Sequence, residues 1–413
     1  MSCCWRSRIA VIALVLLWGA AAAAAQEITQ PEALQRFERE NAQARALAAR
    51  VQIVEAETQA RNLLPNPLTT YSREDAAGSK DDFLLVQQSL PVNGRRGLLR
   101  NAGSAQTRAA ESETAYELLL LRNDVRAAFH GLLLTQERAA LLDAWARRLG
   151  ALVGILRERQ MQGEGSVYDR LRGERELADA QATLASQQVQ LTRARSQLAS
   201  FFAPGTDPAS LVARGNLSEP APPPLPPLPE LLSRALEARG DYAAVQRQIE
   251  SAGFERRAAS RLAIPDPLLT AGLKSSTAPG RSGNGYVLSV TVPVPLFNHG
   301  QAESNRTRAA EERARAELAA RRQQIETDVR ATHEAVRLRR RAAEAYAGQL
   351  GENAAELARI AELAYQEGEK GILELLDAQR VATFSGLQSL DLAWSSKQAE
   401  IDLNRSVGEE VLP

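Results

Sequence analysis

Cysteine is all but missing: Cys3 and Cys4 are the only two, so the chain beyond them has neither a disulfide staple nor a thiolate metal cluster. Aromatic residues are scarce, at 5% of the chain. That scarcity, with abundant Ala, Leu, Glu, Arg and Gln, favours long helices over the large compact cores that 413 residues could otherwise build. Neither sign of charge dominates: Lys+Arg and Asp+Glu both number 50. This balance argues against bulk polyanion binding, and no nucleic-acid partner is expected. The three histidines, His130, His299 and His333, lack the convergent ligands of a metal centre and read as surface or interface residues. No G-x-S-x-G, H-E-x-x-H or Gly-rich phosphate loop occurs, so neither an enzyme nor a cofactor is expected. Past the N-terminus no apolar run is long enough to be a membrane helix; the densest, Leu118 to Leu121, is flanked by charge. A membrane crossing by this chain must therefore use strands.

The N-terminus does carry a signal. Arg6 and Arg8 precede an apolar run from Ile9 to Trp18, and Ala23, Ala24 and Ala25 follow before Gln26. This pattern reads as a secretory signal peptide over residues 1–25; the run is short for a membrane anchor. Both cysteines precede the run, which disfavours an acylated lipoprotein. An exported chain of this size without disulfides suits a Gram-negative envelope.

The remainder reads as a repeat of about 200 residues. Leu64-Pro65-Asn66-Pro67-Leu68 returns as Ile264-Pro265-Asp266-Pro267-Leu268, Asp124-Val125-Arg126-Ala127 returns at 328–331, and Gly163 to Val167 matches Gly368 to Ile372. The expected domains are a first repeat over 26–203, a Pro-rich extended linker over 204–229 and a second repeat over 230–413. Each repeat is expected to run a helix (30–62, 228–262) up to a Pro pair, where helices end. Two strands of about eight residues then follow, slightly short of the 9–11 or so that span a bilayer. Gly-, Ser- and Asp-rich turns lie between them at Glu74–Asp82 and Ser275–Gly285. A very long helix comes next, over about 97–161 in the first repeat and on the order of 100 Å long. It ends at a Gly-rich break, and a helix returns. Leu118, Leu121, Val125, Ala128 and Leu132, and then Val329, Val336, Ala343, Leu350, Leu357 and Ala364, keep a spacing near 3.5, which predicts coiled packing of neighbouring helices.

Four strands cannot close a barrel, and an open sheet in lipid would strand its edge groups. Copies that pool their strands, and with them their long helices, would make a tube.

These landmarks resemble the TolC family of outer-membrane efflux proteins over nearly the whole chain after residue 25. The resemblance implies a mainly α fold with a small β part. In it, long coiled helices form an α-barrel, and four strands per protomer contribute to a trimeric 12-stranded outer-membrane β-barrel. It also implies a conduit from a periplasmic adaptor (membrane fusion protein) and an inner-membrane RND-type pump to the exterior. Gln88 to Arg96 and Val292 to Gln301 resemble the subgroup serving heavy-metal cation efflux (Czc-type); metal cations, drugs and other small molecules are all compatible cargo. By match to the family, Tyr365, Lys370, Glu374 and Asp377 are expected at a periplasmic gate, the two acids on one helical face. The tips Gly163, Gly165, Ser166, Val167, Gly368, Gly371 and Ile372 are expected to dock the adaptor. Leu84, Val86 and Leu90 with Leu288, Val290 and Val292 are expected to face outer-membrane lipid. The competing reading is a periplasmic coiled-coil scaffold or adaptor without a pore, which would have no use for those apolar rows.

Overall fold

The computed structural model describes residues 26–217, 222–347 and 351–413. The signal peptide, part of the linker and Leu350 lie outside the described residues. In chain order the elements are β1 (Gln26–Ile28), α1 (Gln30–Glu40), α2 (Ala42–Asn62), β2 (Leu68–Ala76), β3 (Ser79–Ser89), α3 (Arg95–Met161), α4 (Val167–Ala199), β4 (Leu211–Ala213), α5 (Leu228–Ala238), α6 (Gly240–Ser260), β5 (Leu268–Ala278), β6 (Arg281–Thr291), α7 (Gln301–Ala345), α8 (Gly351–Gln366) and α9 (Ile372–Val407). No described helix is long and apolar enough to cross a membrane.

The helices expected over 30–62 and 228–262 are each broken once. Asn41 takes an extended ψ of 123°, and its side chain accepts the Ala44 N–H, capping α2. Arg239 makes the equivalent break, with ψ 109°. Ile264, which precedes Pro265, is extended at φ −104°, ψ 107°, as the proline ring requires.

The strands are longer than expected and the turns shorter. β2 has 9 residues and β3, β5 and β6 have 11 each. The turns shrink to Ala77-Gly78, both at positive φ, and Pro279-Gly280. The residues expected as loop are polar strand ends in register, with Arg73 opposite Asp82 and Asp75 opposite Lys80. The linker is also more structured than expected: β4 pairs in parallel with β1, and Pro229 sits inside the first turn of α5.

The chain divides into two compact units, each drawing on residues from both of the expected repeats. One takes the chain up to Glu40, Val125–Glu219 and Ala345–Trp394; the other takes Asn41–Asp124, Pro220–Glu344 and Ser395–Pro413. In the first unit Leu142, Trp145, Leu149, Leu152 and Leu156 of α3 pack with Ile372, Leu375, Leu376 and Leu387 of α9. Their alternating three- and four-residue steps are the coiled-coil period. In the second unit Ile325, Val329 and Val336 of α7 pack with Leu231, Ala235, Ala399 and Leu403. The heptad expected through 364 does not hold as one seam: α7 ends at Ala345, and Leu357 on α8 is 55% exposed.

Candidate functional sites: a two-faced sheet and a pair of helical tips

The second unit holds one four-stranded sheet in the order β2-β3-β5-β6, every neighbouring pair antiparallel. Registers place Tyr71, Leu84, Leu273 and Tyr286 in one row across all four strands, and Thr69, Val86, Ala271 and Leu288 in the next. Gln88, Leu269 and Val290 form a third. Leu90 and Val292 continue the same parity beyond the strand ends. All six residues named from sequence thus share one face, and each is between 37% and 68% exposed. The polar amide of Gln88 is turned away, donating to the carbonyls of Pro65 and Ser89. Tyr71, Leu273 and Leu269 were missed, because β2 and β5 intersperse Thr, Gly and Lys and lack a clean alternation. At the turn end this face becomes polar: Arg73 pairs with Asp82 at 2.6 Å, and the Tyr71 hydroxyl donates to Asp82 at 2.8 Å.

The opposite face is mixed. It carries Gln87, Thr270 and Ser289 in one row and Phe83, Lys274 and Gly285 in another. Lys274 Nζ lies 2.6 Å from Asp81 and 4.9 Å from the Phe83 ring centroid. The outer edges of β2 and β6 have no partner strand among the described residues.

The first unit holds both tips. Gly163 at φ 79° and Gly368 at φ 78° end their helices in the left-handed region that glycine adopts without strain. Around each, the N–H groups of the glycine and the next residue bond back to the helix: Gly163 to Gln160 and Glu164 to Arg159, then Gly368 to Tyr365 and Glu369 to Ala364. This is the Schellman closure. Ser166 Oγ accepts the Tyr168 N–H and caps α4. Gly165 has no room for a side chain, since a Cβ there would stand 2.8 Å from the Gln160 nitrogen.

The two tips differ in charge. In the first, the Glu174 carboxylate accepts from Arg157 at 2.8 Å and Arg170 at 2.7 Å, and these bonds hold its pKa below the ordinary glutamate value. In the second, Lys370 and Glu374 are exposed and have no ion-pair partner among the described residues, while Asp377 pairs with Arg380 at 2.8 Å. Glu374 and Asp377 share the exposed side of α9; Leu375 and Leu376 are buried. Tyr365 does not meet Lys370 through any described contact. Its ring lies 5.7 Å from the guanidinium of Arg159, on the other hairpin. Arg159 was invisible to local sequence reasoning because its partner is distant in the chain. Ile372 is a correction: it is 5% exposed and packs in the core of this unit, so it offers no docking surface. Its neighbour Leu373 is 47% exposed, comparable with Val167 at 52%. No group of three or more His, Cys, Asp or Glu side chains converges among the described residues, so an acidic cluster at the tip requires several copies. His130 is buried against Phe129, with Nε2 2.7 Å from the Gln30 amide oxygen.

Three comparisons bear on this geometry. The family described as outer membrane efflux protein matches residues 231–409. The cobalt-zinc-cadmium resistance protein CzcC of Cupriavidus metallidurans is 25% identical over 357 residues, covering 84% of this chain and 82% of that one. Among solved structures, the Campylobacter jejuni CmeC outer membrane channel superposes with TM-score 0.76 at 13% identity, covering 92% of this chain and 86% of that chain. The open-state MtrE outer membrane channel of Neisseria gonorrhoeae gives 0.75 at 19%, covering 92% and 89%.

Proposed function

We propose that this chain, whose residues 231–409 match the outer membrane efflux protein family, is the outer-membrane duct of a tripartite system that exports divalent metal cations. The observation that carries the duct is the two-faced sheet. One side shows mostly apolar rows, the other a mixed lining, and both edges are open among the described residues. Such edges are tolerated in lipid only if another chain pairs them. Because the sheet alternates strictly, β6 of one copy beside β2 of the next continues the antiparallel order, so copies close without a defect. Three copies bring twelve strands, within the range of outer-membrane barrels. The helical part then lies in the periplasm, where adaptor and pump meet the two glycine tips.

The metal cargo rests on the likeness to CzcC over most of both chains. Deleting the gene in its host and growing the strain on cobalt, zinc, cadmium and antibiotics tests it. Lowered tolerance to the metal salts is the expected result, and unchanged metal tolerance with lost drug tolerance would overturn the cargo.

In the closed assembly Glu374 and Asp377 of each copy form adjoining carboxylate rings at the periplasmic end, with Lys370 beside them and Tyr365 held by Arg159. Rings of this kind favour cations and bind divalent ions weakly. The Glu374→Ala/Asp377→Ala double variant is expected to lose most of the block by multivalent cations in planar-bilayer conductance, while block equal to wild type would remove the ring.

A further inference from the structure

At the end of the sheet away from its turns, four chain crossings join strands to helices: α2 to β2, β3 to α3, α6 to β5 and β6 to α7. The first three are tied by hydrogen bonds, the first through the Gln88 amide to the Pro65 carbonyl at 3.0 Å. Leu90 N–H donates to the Pro267 carbonyl at 2.9 Å, Val92 N–H to Asp266 at 3.1 Å, and the Asn93 amide to the Ile264 carbonyl at 3.0 Å. On these crossings Leu63, Leu64, Val92, Val294, Leu296 and Phe297 are 58–91% exposed, an apolar collar continuous with the apolar rows above it.

Arginines gather immediately beyond. Arg95 and Arg96 open α3, Arg100 follows one turn later, Arg257 and Arg261 flank the end of α6, and Arg308 lies near the start of α7. None of the six has a carboxylate within ion-pair distance among the described residues; Arg96 donates to the Asn62 carbonyl, and Arg257 lies over Phe254 at 4.4 Å. The acids of the same stretches are mostly engaged: Glu57 with Arg61, Glu303 with Arg306, Glu311 with Arg256, and Asp266 with the Val92 N–H. Glu55, Glu255 and Glu312 have no cation within ion-pair distance among the described residues and Asp266 keeps its charge, so six guanidiniums stand against four carboxylates. At 1.5 Å per helical residue these arginines fall within roughly 10 Å of the collar, in and just beyond one headgroup layer of about 5–7.5 Å.

We propose that this collar and its arginines form a binding surface for anionic phospholipid in the periplasmic leaflet of the outer membrane. The apolar residues seat against acyl chains, and the guanidiniums take the headgroup phosphates, for which their forked donors are suited. Continuity with the membrane-facing rows and the excess of unpaired positive charge favour lipid over a protein partner. The proposal rests on the outer-membrane placement argued above.

The test uses the full-length protein purified from the outer-membrane fraction in neutral detergent. Native mass spectrometry reads its retention of phosphatidylglycerol against phosphatidylcholine of the same acyl chains. Wild type is expected to retain the anionic lipid preferentially, and Arg100→Gln/Arg261→Gln/Arg308→Gln to lose at least about tenfold of that preference. Equal retention of the two lipids by wild type would overturn the proposal while leaving the duct intact. So would a triple variant that keeps the lipid preference but loses the oligomer, which would make the collar a contact between copies. Absence of the wild-type protein from the outer-membrane fraction would instead overturn the duct itself.

Discussion

Leu84→Arg combined with Leu288→Arg is expected to abolish accumulation of the protein in the outer membrane. Both side chains belong to the apolar face, in adjoining rows that cross every strand of the sheet. An arginine on the lipid face of a barrel costs about 2–4 kcal/mol near the bilayer midplane, and the cost recurs in each copy of a closed ring. Ser289→Lys sits next to Leu288 in sequence but on the opposite, mixed face, in the row of Gln87 and Thr270, and is expected to leave the amount unchanged. Immunoblots of outer-membrane fractions compare the three. If the double variant accumulates like wild type, or the lysine is as damaging as the arginines, the assignment of faces is wrong.

The second large effect is expected at Arg239, whose side chain is 6% exposed in the second unit. Its guanidinium donates to Asp241 at 2.7 and 3.0 Å and to the Ser406 carbonyl at 3.3 Å, and it lies 5.0 Å from the Tyr116 ring centroid. Burial disfavours its charge; the bond to Asp241 and the neighbouring Tyr116, Asp241 and Asp328 more than offset this, and its pKa moves up. Arg239→Met leaves Asp241, itself only 12% exposed, with Arg321 at 3.5 Å as its remaining cation. Removing one member of a buried pair costs about 3–5 kcal/mol; with Arg321 in reach, the lower end of that range is expected. Asp241→Asn added to Arg239→Met should recover part of the loss, since the stranded charge goes with it. Thermal midpoints of the purified variants decide this. An unchanged midpoint for Arg239→Met, or a double variant worse than the single, would show that the pair is not coupled as described.

What was legible in the sequence follows from which signals are local. The helix ends could be read because glycine and proline act where they stand: the Pro pairs follow α2 and α6, and Gly163 and Gly368 close their helices. The expected long helix over 97–161 is α3, and Val125, Ala128 and Leu132 of its heptad are buried. Polarity misled at the hairpins, where Glu74 to Asp82 looks like a loop but is mostly ladder-paired strand; beyond the apolar band, a barrel strand has no reason to be apolar. Asn41 hid a helix break because one capping side chain among helix formers is a weak signal. Ile372 beside a glycine turn looked exposed, yet it faces the Leu142–Leu156 seam, a contact set by residues two hundred positions away. Distance in the chain likewise concealed Arg159 beneath Tyr365.

The proposed duct requires copies of this chain to pool their strands into a closed barrel in the outer membrane. Its most direct measurement is the electrophoretic mobility, with and without heating, of protein from outer-membrane fractions washed with high salt and carbonate. The expected result is an oligomer that resists the washes and converts to the monomer only on heating. A monomer released by the salt wash would contradict the claim and leave a soluble periplasmic scaffold in its place.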